Sequence, residues 1–401
     1  MKTTRWISSL LGALGLLIQG AWNATRSQEE APRRRRSFKH WVAIGVVVVL
    51  VLALGAFLGA ASGIIPITAS SGHWRPTAWF LQFSKRRSVA THAIGIAPPS
   101  LDQSWMVLKG AGHYETGCRP CHGSPDLPQP RIARALTPAP PYLPPHIAQW
   151  KPEELFYIVK HGIKFTGMPA WPTQQRDDEI WAMVAFLSAL PRLDAPKYQQ
   201  LVHGSEVTSG GPAPLPDLVA TGTIPRAVLM SCARCHGEDG EGRGSAAFPK
   251  LAGQREDYLF AALQAFARDE RASGIMQPIA AGLDAVEMRA LARHYAGRRA
   301  AEPAATTALA ASIARGREVV ASGLPSQKVP ACDDCHGPGP RNPIYPILDG
   351  QFADYLALQL QLFKGGKRGG SAYSHIMVRV ASGLEPKQMQ DVANYFSARR
   401  R

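Results

Sequence analysis

The sequence has only six cysteines, and each of them lies in one of three short segments that share a pattern. It has no glycine-rich nucleotide fingerprint, no recognisable Ser-His-Asp set and no dedicated metal cage. Nothing therefore points to a hydrolase or to a flavin- or nicotinamide-dependent enzyme. The functional signal of the chain has to be sought in the cysteine segments.

Each segment reads Cys-x-x-Cys-His-Gly. Cys-x-x-Cys-His is the attachment signature of c-type haem: two thiols form thioethers to the vinyl groups of one porphyrin, and the His nitrogen ligates the iron. The following Gly lets the chain pass close to the macrocycle. Three copies predict three covalently bound haem c groups, held by Cys118, Cys121 and His122; by Cys232, Cys235 and His236; and by Cys332, Cys335 and His336.

Other uses of paired cysteines fit the pattern less well. A Cys-x-x-Cys pair could be a redox pair or half of a zinc site. Zinc prefers four ligands, however, and the six cysteines of three pairs do not divide into sites of four. A disulfide framework would suit an oxidising compartment, but it would not require a His after every second cysteine.

Charge of either sign is missing between His40 and Arg75. Before this gap, residues 1–40 carry eight Lys or Arg against two Glu, part of a net charge of +15. Residues 41–63 are apolar and, as a helix, long enough to span a bilayer. The sequence thus predicts a basic cytoplasmic tail (1–40), one transmembrane anchor (41–63) in a bacterial inner membrane, and export of the haem motifs to the periplasm.

Two readings of this region stay open. The apolar run could instead be a signal peptide cleaved near residues 59–61, although it is long for one. Residues 7–22 form a weaker apolar stretch, which we interpret as peripheral, because a second span would put the motifs on the wrong side.

The juxtamembrane segment 64–100 mixes Trp and Phe with Lys and Arg, so it is either a helix on the periplasmic membrane surface or a basic linker.

The first motif belongs to a predicted domain at residues 101–202. A helix should begin at Pro152, and a closing helix should follow the acidic residues 177–179. Between them stands Met168, in the sequence Thr-Gly-Met-Pro-Ala-Trp. This order resembles class I cytochromes c, and the resemblance implies that Met168 ligates iron opposite His122. Met183 lies on an apolar helical stripe and is expected in the core.

The other motifs lie in an internal repeat, predicted as domains 217–303 and 304–401 after a linker at 203–216. The two copies resemble the dihaem class I cytochromes c of bacteria. That resemblance implies Met276 and Met377 as axial ligands, with the carbonyls of Pro249 and Pro346 accepting from the His rings. His375 is an alternative ligand to Met377. Met288 and Met389 are expected in the core, and Pro225 interrupts the helix expected before the second motif.

The predicted fold is all-α: one transmembrane helix and three class I cytochrome c domains. His–Met ligation leaves no open iron position, so outer-sphere electron transfer is the expected function. The favoured partner is a terminal oxidase, with a quinol-oxidising complex or a dehydrogenase as other redox partners, and neither nucleic acid nor a small-molecule substrate is expected. The alternatives are the cytochrome subunit of a periplasmic alcohol or gluconate dehydrogenase, which the first domain also resembles, and a haem enzyme or gas sensor.

Overall fold

A computed structural model describes residues 33–64, 67–204, 224–302, 310–339 and 342–400. Residues 1–32 of the predicted tail, nearly all of the predicted linker and the junction between the second and third predicted domains lie outside this description. The described residues are mostly helical, and their extended contacts amount to an isolated antiparallel bridge between Leu324 and Val329. The all-α prediction is confirmed to this extent.

The described residues up to Ser71 form a unit of their own, and those from Gly72 onward form a second unit. The main element of the first unit is α1, Arg33–Ala61, followed by a short 3₁₀ turn at Ala69–Ser71. The part Phe38–Ala61 is 24 residues long and apolar enough to cross a membrane. At 1.5 Å per residue it measures about 36 Å, which exceeds a hydrocarbon core of about 30 Å.

The second unit begins with α2, Arg75–His92, which lies within the predicted juxtamembrane segment 64–100. A proline in the first turn suits its start, because the missing N–H would have no helical partner there. Val89 and Ala93 are buried at its C-terminal end. Three aromatic residues in the N-terminal half of the helix are exposed: Trp79, Phe80 and Phe83.

The helices that follow fall into three groups, each carrying one Cys-x-x-Cys-His motif. The first group consists of α3 Ser104–Gly117, α4 Arg119–His122, α5 Arg131–Arg134, α6 Leu143–His146, α7 Pro152–His161, α8 Asp177–Ala189 and α9 Ala195–His203. The second consists of α10 Arg226–His236, α11 Glu256–Ala267, α12 Met276–Ala281 and α13 Ala285–Ala296. The third consists of α14 Ala310–Ser322, α15 Asp333–His336, α16 Ala353–Lys364, α17 Ser374–Ser382 and α18 Pro386–Ala398.

The first group is built on the crossing of α3 and α8. A Cβ atom on Gly110 would lie 2.6 Å from Cβ of Phe186, so the two helix backbones can touch only because Gly110 has no side chain. Tyr114, Phe186 and Tyr198 fill the core beside this crossing and are fully buried. The close approach fixes α8 against the helix that leads into the first motif.

The helix and core predictions hold in each group. Helices begin at Pro152 and Asp177, as the proline and the acidic residues indicated. The three methionines expected in the core are buried, with exposed fractions of 1% for Met183, 5% for Met288 and 1% for Met389. They are therefore packing residues, separate from the methionines in the loops.

Two helix ends bear on positions singled out in the sequence. His203, the first residue of the predicted linker, is the last residue of α9. The helix continues to this point because Tyr198 and Val202 bury their side chains against the first core. Pro225 does not interrupt a helix but precedes one, since α10 starts at Arg226 and runs through the second motif.

Candidate functional site

Each Cys-x-x-Cys-His motif forms a single helical turn. The backbone N–H of His122 donates to the carbonyl of Cys118 over 2.9 Å, and His336 makes the same bond to Cys332. The second motif lies in the last turns of α10. A helical turn keeps both sulfur atoms and the imidazole within reach of one flat ligand, which is the arrangement that covalent haem attachment requires.

The three histidines share one hydrogen bond. In each one, Nδ1 lies close to the carbonyl oxygen of a proline. The distances are 2.9 Å for His122 and Pro141, 3.0 Å for His236 and Pro249, and 2.9 Å for His336 and Pro346. A carbonyl only accepts, so Nδ1 carries the proton and Nε2 keeps its lone pair for a metal. Burial lowers the pKa of all three imidazoles, which favours the neutral form that ligates iron.

A cavity of about 720 Å³ lies between the second and third groups and also reaches Lys109, Arg176 and Glu179 of the first. Burial raises the pKa of Cys232 and of Cys332, which line this cavity, to about 11. The cavity walls also carry both predicted methionine ligands of the repeat. The ligand-bearing residues on its surface are Cys232, Cys235, His236, Met276, Cys332, Cys335, His336 and Met377.

The methionine loops differ between groups. Met276 is the first residue of α12, whereas Met377 lies within α17. His375 is exposed and Met377 is part-buried at the cavity wall, which favours Met377 as the ligand of the third group. In the first group, Met168 is part-buried in a loop where the Thr166 hydroxyl donates to the Ile163 carbonyl and accepts from the Met168 N–H.

Two arginines line the cavity, Arg271 buried and Arg368 part-buried, and the sequence reading did not single them out. Arg271 donates to the Tyr355 hydroxyl over 3.2 Å, and Arg368 donates to the Tyr258 hydroxyl over 3.3 Å. Within the described residues neither guanidinium is paired with a carboxylate, and Nε of Arg368 has no partner. Burial, followed by the charge of Arg271, lowers the pKa of Arg368 to about 10.

This arginine pair indicates an anionic ligand. A buried cation without a counter-ion is costly, so two of them at one cavity call for carboxylates from another molecule. Haem carries such carboxylates, and the residues present therefore fit haem. The signal was readable in the repeat, because each arginine follows its matching tyrosine (Tyr258 or Tyr355) by the same interval.

In the second and third groups, a glutamine of each group forms hydrogen bonds to the backbone of the other. Gln254 binds the backbone of Ile347 through both amide atoms, at 2.9 and 2.8 Å. Gln351 binds the backbone of Lys250 in the same way, at 3.0 Å for each bond. Ile347 and Lys250 directly follow the prolines that orient the histidines. Each repeat therefore supports the histidine loop of the other, and the site is a joint product of both groups.

These features define a protein that binds haem covalently through cysteine and histidine. The cytochrome c family model matches residues 226–309, and the model of cytochrome c oxidase, cbb3-type, subunit III matches residues 106–187. The thiosulfate dehydrogenase electron acceptor of Thiomonas intermedia is 35% identical over 170 residues, covering 42% of this chain and 78% of that protein.

A second relative is cytochrome c4 of Pseudomonas aeruginosa, which is 30% identical over 167 residues, covering 41% of this chain and 81% of that protein. A solved cytochrome c4, from Acidithiobacillus ferrooxidans, is 31% identical with a TM-score of 0.38, covering 42% of this chain and 98% of that one. The chain belongs to the cytochrome c family. It is an electron-transfer protein, and its cysteine pairs fit haem c.

Proposed function

We propose that the chain is a membrane-anchored cytochrome with three haem c groups, which relays electrons between redox proteins in the periplasm. The observation that carries this proposal is the repeated histidine geometry. In all three motifs Nδ1 is bonded to a proline carbonyl, which leaves Nε2 available as an axial ligand.

The residues of the chain attach the cofactor, ligate its iron and restrict access to it. Haem c supplies reversible one-electron chemistry when it is bound. Met168, Met276 and Met377 are the proposed sixth ligands. A thioether in that position raises the potential and blocks the iron to oxygen and other small ligands. The arrangement therefore favours electron transfer over catalysis or gas sensing.

The number of haem groups is tested by mass. Purified full-length protein should carry three haem groups by intact mass and by the haem content of the denatured protein. Replacing Cys232 and Cys235 with Ala should remove one haem, as should the matching double variants of the other motifs. A wild-type mass with only two haems would contradict the proposal, and carbon monoxide binding by the reduced wild type would return sensing or catalysis to contention.

We propose that α1 spans the inner membrane and stays attached. Its apolar length supports a span. The cluster of arginines at residues 33–36 supports an orientation with the tail in the cytoplasm. Mature protein isolated from membranes should begin before residue 41. An N-terminus near residue 62 would instead identify a cleaved signal peptide.

A terminal oxidase is the favoured electron acceptor. The match to the model of a cytochrome c oxidase subunit supports this choice. That match covers residues 106–187, which lie in the first group and not in the repeat. We expect the reduced protein to be oxidised by membranes that contain an active oxidase. Cyanide should stop that oxidation if the oxidase is the acceptor, and continued oxidation would point to another one.

A periplasmic dehydrogenase is the second candidate partner, as electron donor. The relative from Thiomonas intermedia is named for its role with thiosulfate dehydrogenase, and its similarity covers 42% of this chain. This favours a sulfur-compound dehydrogenase over the alcohol or gluconate enzymes. The test is reduction of the oxidised protein by thiosulfate with purified thiosulfate dehydrogenase, compared with an alcohol and its dehydrogenase.

A further inference from the structure

A carboxylate of the first group holds the loop that leads to Met276 in the second. Glu179, on α8, is 2% exposed. Its Oε1 accepts a hydrogen bond from the Ser273 hydroxyl over 2.6 Å, and its Oε2 accepts one from the Gly274 N–H over 2.7 Å. Both donors lie in the loop directly before Met276. This bond pair therefore joins two helix groups at the loop of a proposed iron ligand.

The connection continues to Met276 itself. The Ser273 hydroxyl, which donates to Glu179, also accepts from the backbone N–H of Met276 over 3.0 Å. One hydroxyl thus links the carboxylate of the first group to the start of α12. A hydroxyl that donates and accepts at once has a fixed orientation, so the position of Glu179 is passed to the Met276 backbone.

Trp171 closes the same contact from the side of the Met168 loop. Its indole N–H is directed at Oε2 of Glu179, with a separation of 3.4 Å. A Cβ atom on Gly274 would lie 2.5 Å from Cε2 of Trp171, so no other residue fits at position 274. The two methionine loops, 166–171 and 272–276, therefore meet at one tryptophan.

The charge of Glu179 is compensated locally, which is what allows it to be buried. Arg176 lies 3.0 Å from Glu179 and donates to the Ala272 carbonyl over 2.8 Å, so it holds the same loop. Asp178 accepts from Arg176 over 2.8 Å and pairs with Lys109 over 3.3 Å. Burial opposes ionisation here, yet Lys109 and Arg176 hold the pKa of Asp178 well below its usual range.

The third group has a different arrangement before its methionine. The hydroxyl of Ser374 donates to the Ser371 carbonyl over 2.8 Å, within its own loop. The second group, by contrast, takes its support from the neighbouring group across 94 residues of sequence. The two serines at matching positions therefore differ: the Ser273 hydroxyl donates to a carboxylate of a neighbouring group, and the Ser374 hydroxyl donates within its own loop.

We propose that Glu179 is a positioning residue for Met276, so that docking of the first group onto the second helps to keep a thioether on the second haem iron. This inference rests on the proposed ligand role of Met276. If the loop is released, the Met276 sulfur should spend less time on the iron. Because a thioether ligand raises the potential, the second haem should then become harder to reduce.

The test compares five full-length proteins: wild type, Glu179→Gln, Ser273→Ala, Met276→Leu and the control Asp391→Asn. The control removes a buried carboxylate from α18 that binds Ser312 and Arg315, away from any methionine loop. The readouts are haem content, the weak methionine-to-iron absorption band of the oxidised protein, a redox titration and carbon monoxide binding. Met276→Leu shows separately how much of the band belongs to Met276.

We expect Glu179→Gln to keep three haems and to lose up to one third of the band, since Met276 is one of three proposed methionine ligands. One haem should shift to lower potential and gain carbon monoxide binding. Ser273→Ala should cause a smaller loss in the same direction, and Asp391→Asn none. An unchanged band and unchanged potentials in both test variants would overturn the inference.

Two further outcomes are separable. If Met276→Leu leaves the band intact, the ligand assignment itself is wrong, and the proposed function fails at that point, taking the positioning role with it. If Glu179→Gln fails to fold and loses haem, Ser273→Ala decides, because it removes one hydroxyl and leaves the Glu179–Arg176 pair in place. A folded Ser273→Ala protein with a wild-type band and wild-type potentials then overturns the inference.

Discussion

Gly316 lies against the backbone of Asp391, where α14 crosses α18 in the third group. A Cβ atom at Gly316 would stand 2.7 Å from the carbonyl carbon of Asp391 and 2.9 Å from Cβ of Tyr395. The side chain of Asp391 strengthens this crossing, because it accepts from the Ser312 hydroxyl and from Arg315. Gly110 plays the same part in the first group against Phe186.

Gly316→Ala should destabilise the third group. Alanine favours a helix over glycine by about 1 kcal/mol, but overpacking a tight helix contact costs about 1–3 kcal/mol, and neither backbone can retreat without opening the core. We expect a net loss of up to about 2 kcal/mol, seen as a lower denaturant midpoint for the third group by limited proteolysis. Gly282→Ala is the matched control, since a Cβ atom at Gly282 would lie 3.6 Å from its nearest neighbour, the carbonyl oxygen of Ile279. Equal midpoints for both variants would count against a steric crossing.

Asp391 should make the third group sensitive to acid. Its hydrogen bond from Arg315 lowers the pKa of Asp391 below the usual value of 3.8. A carboxyl whose folded pKa is depressed contributes stability above its unfolded pKa, and that contribution is lost as the pH falls through the folded pKa. Unfolding midpoints measured from pH 6 down to pH 2 should therefore fall below about pH 4 more steeply in the wild type than in Asp391→Asn. Parallel curves would show that this group does not control acid stability.

Arg368→Gln should lower the potential of at least one haem of the repeat. A guanidinium at the cavity wall, beside the proposed haem, favours the reduced, less positive iron, so its removal should make that haem harder to reduce. A redox titration gives the shift. Arg293→Gln is the control, because Arg293 is exposed on α13, with a side chain 73% accessible. Identical titrations of both variants would remove the arginine pair from the haem site.

The parts of this fold that follow from local chemistry were predictable. Short patterns within each group predict the three Cys-x-x-Cys-His motifs and the core methionines. They also predict the helices that begin at Pro152 and at Asp177. Even the proline partners of His236 and His336 followed from the resemblance. Pro141 did not, because a proline-rich loop offers several carbonyls and only the folded loop selects one.

What could not be predicted depends on how the groups dock. Glu179 looks like a first-turn acid of α8, a position that favours carboxylates in any helix. Its bond to Ser273 joins residues 94 apart, and Arg271 reaches Tyr355 across 84. Such pairs leave no local period, so the sequence alone does not show which residues pair. The contacts that join one group to another are therefore visible only in the folded unit.

The exposed face of α2 should bind an anionic membrane surface. Trp79 and Phe83 stack with centroids 5.6 Å apart, and Arg87 lies over the Phe83 ring at 5.7 Å. Apolar rings beside cations suit the boundary between lipid tails and headgroups. Residues 72–401 form a unit without α1, so this unit can be tested alone with vesicles.

We expect the unit to sediment with vesicles containing anionic lipid and less with neutral ones. Trp79→Ser with Phe83→Ser should weaken binding at least about tenfold, because burying one large apolar side chain is worth about 1.5–3 kcal/mol. Val286→Ser is the control, since Val286 is 77% exposed on α13 and lies outside this face. Equal losses in both variants would mean that α2 acts as a basic linker, and the membrane contact would then depend on α1 alone.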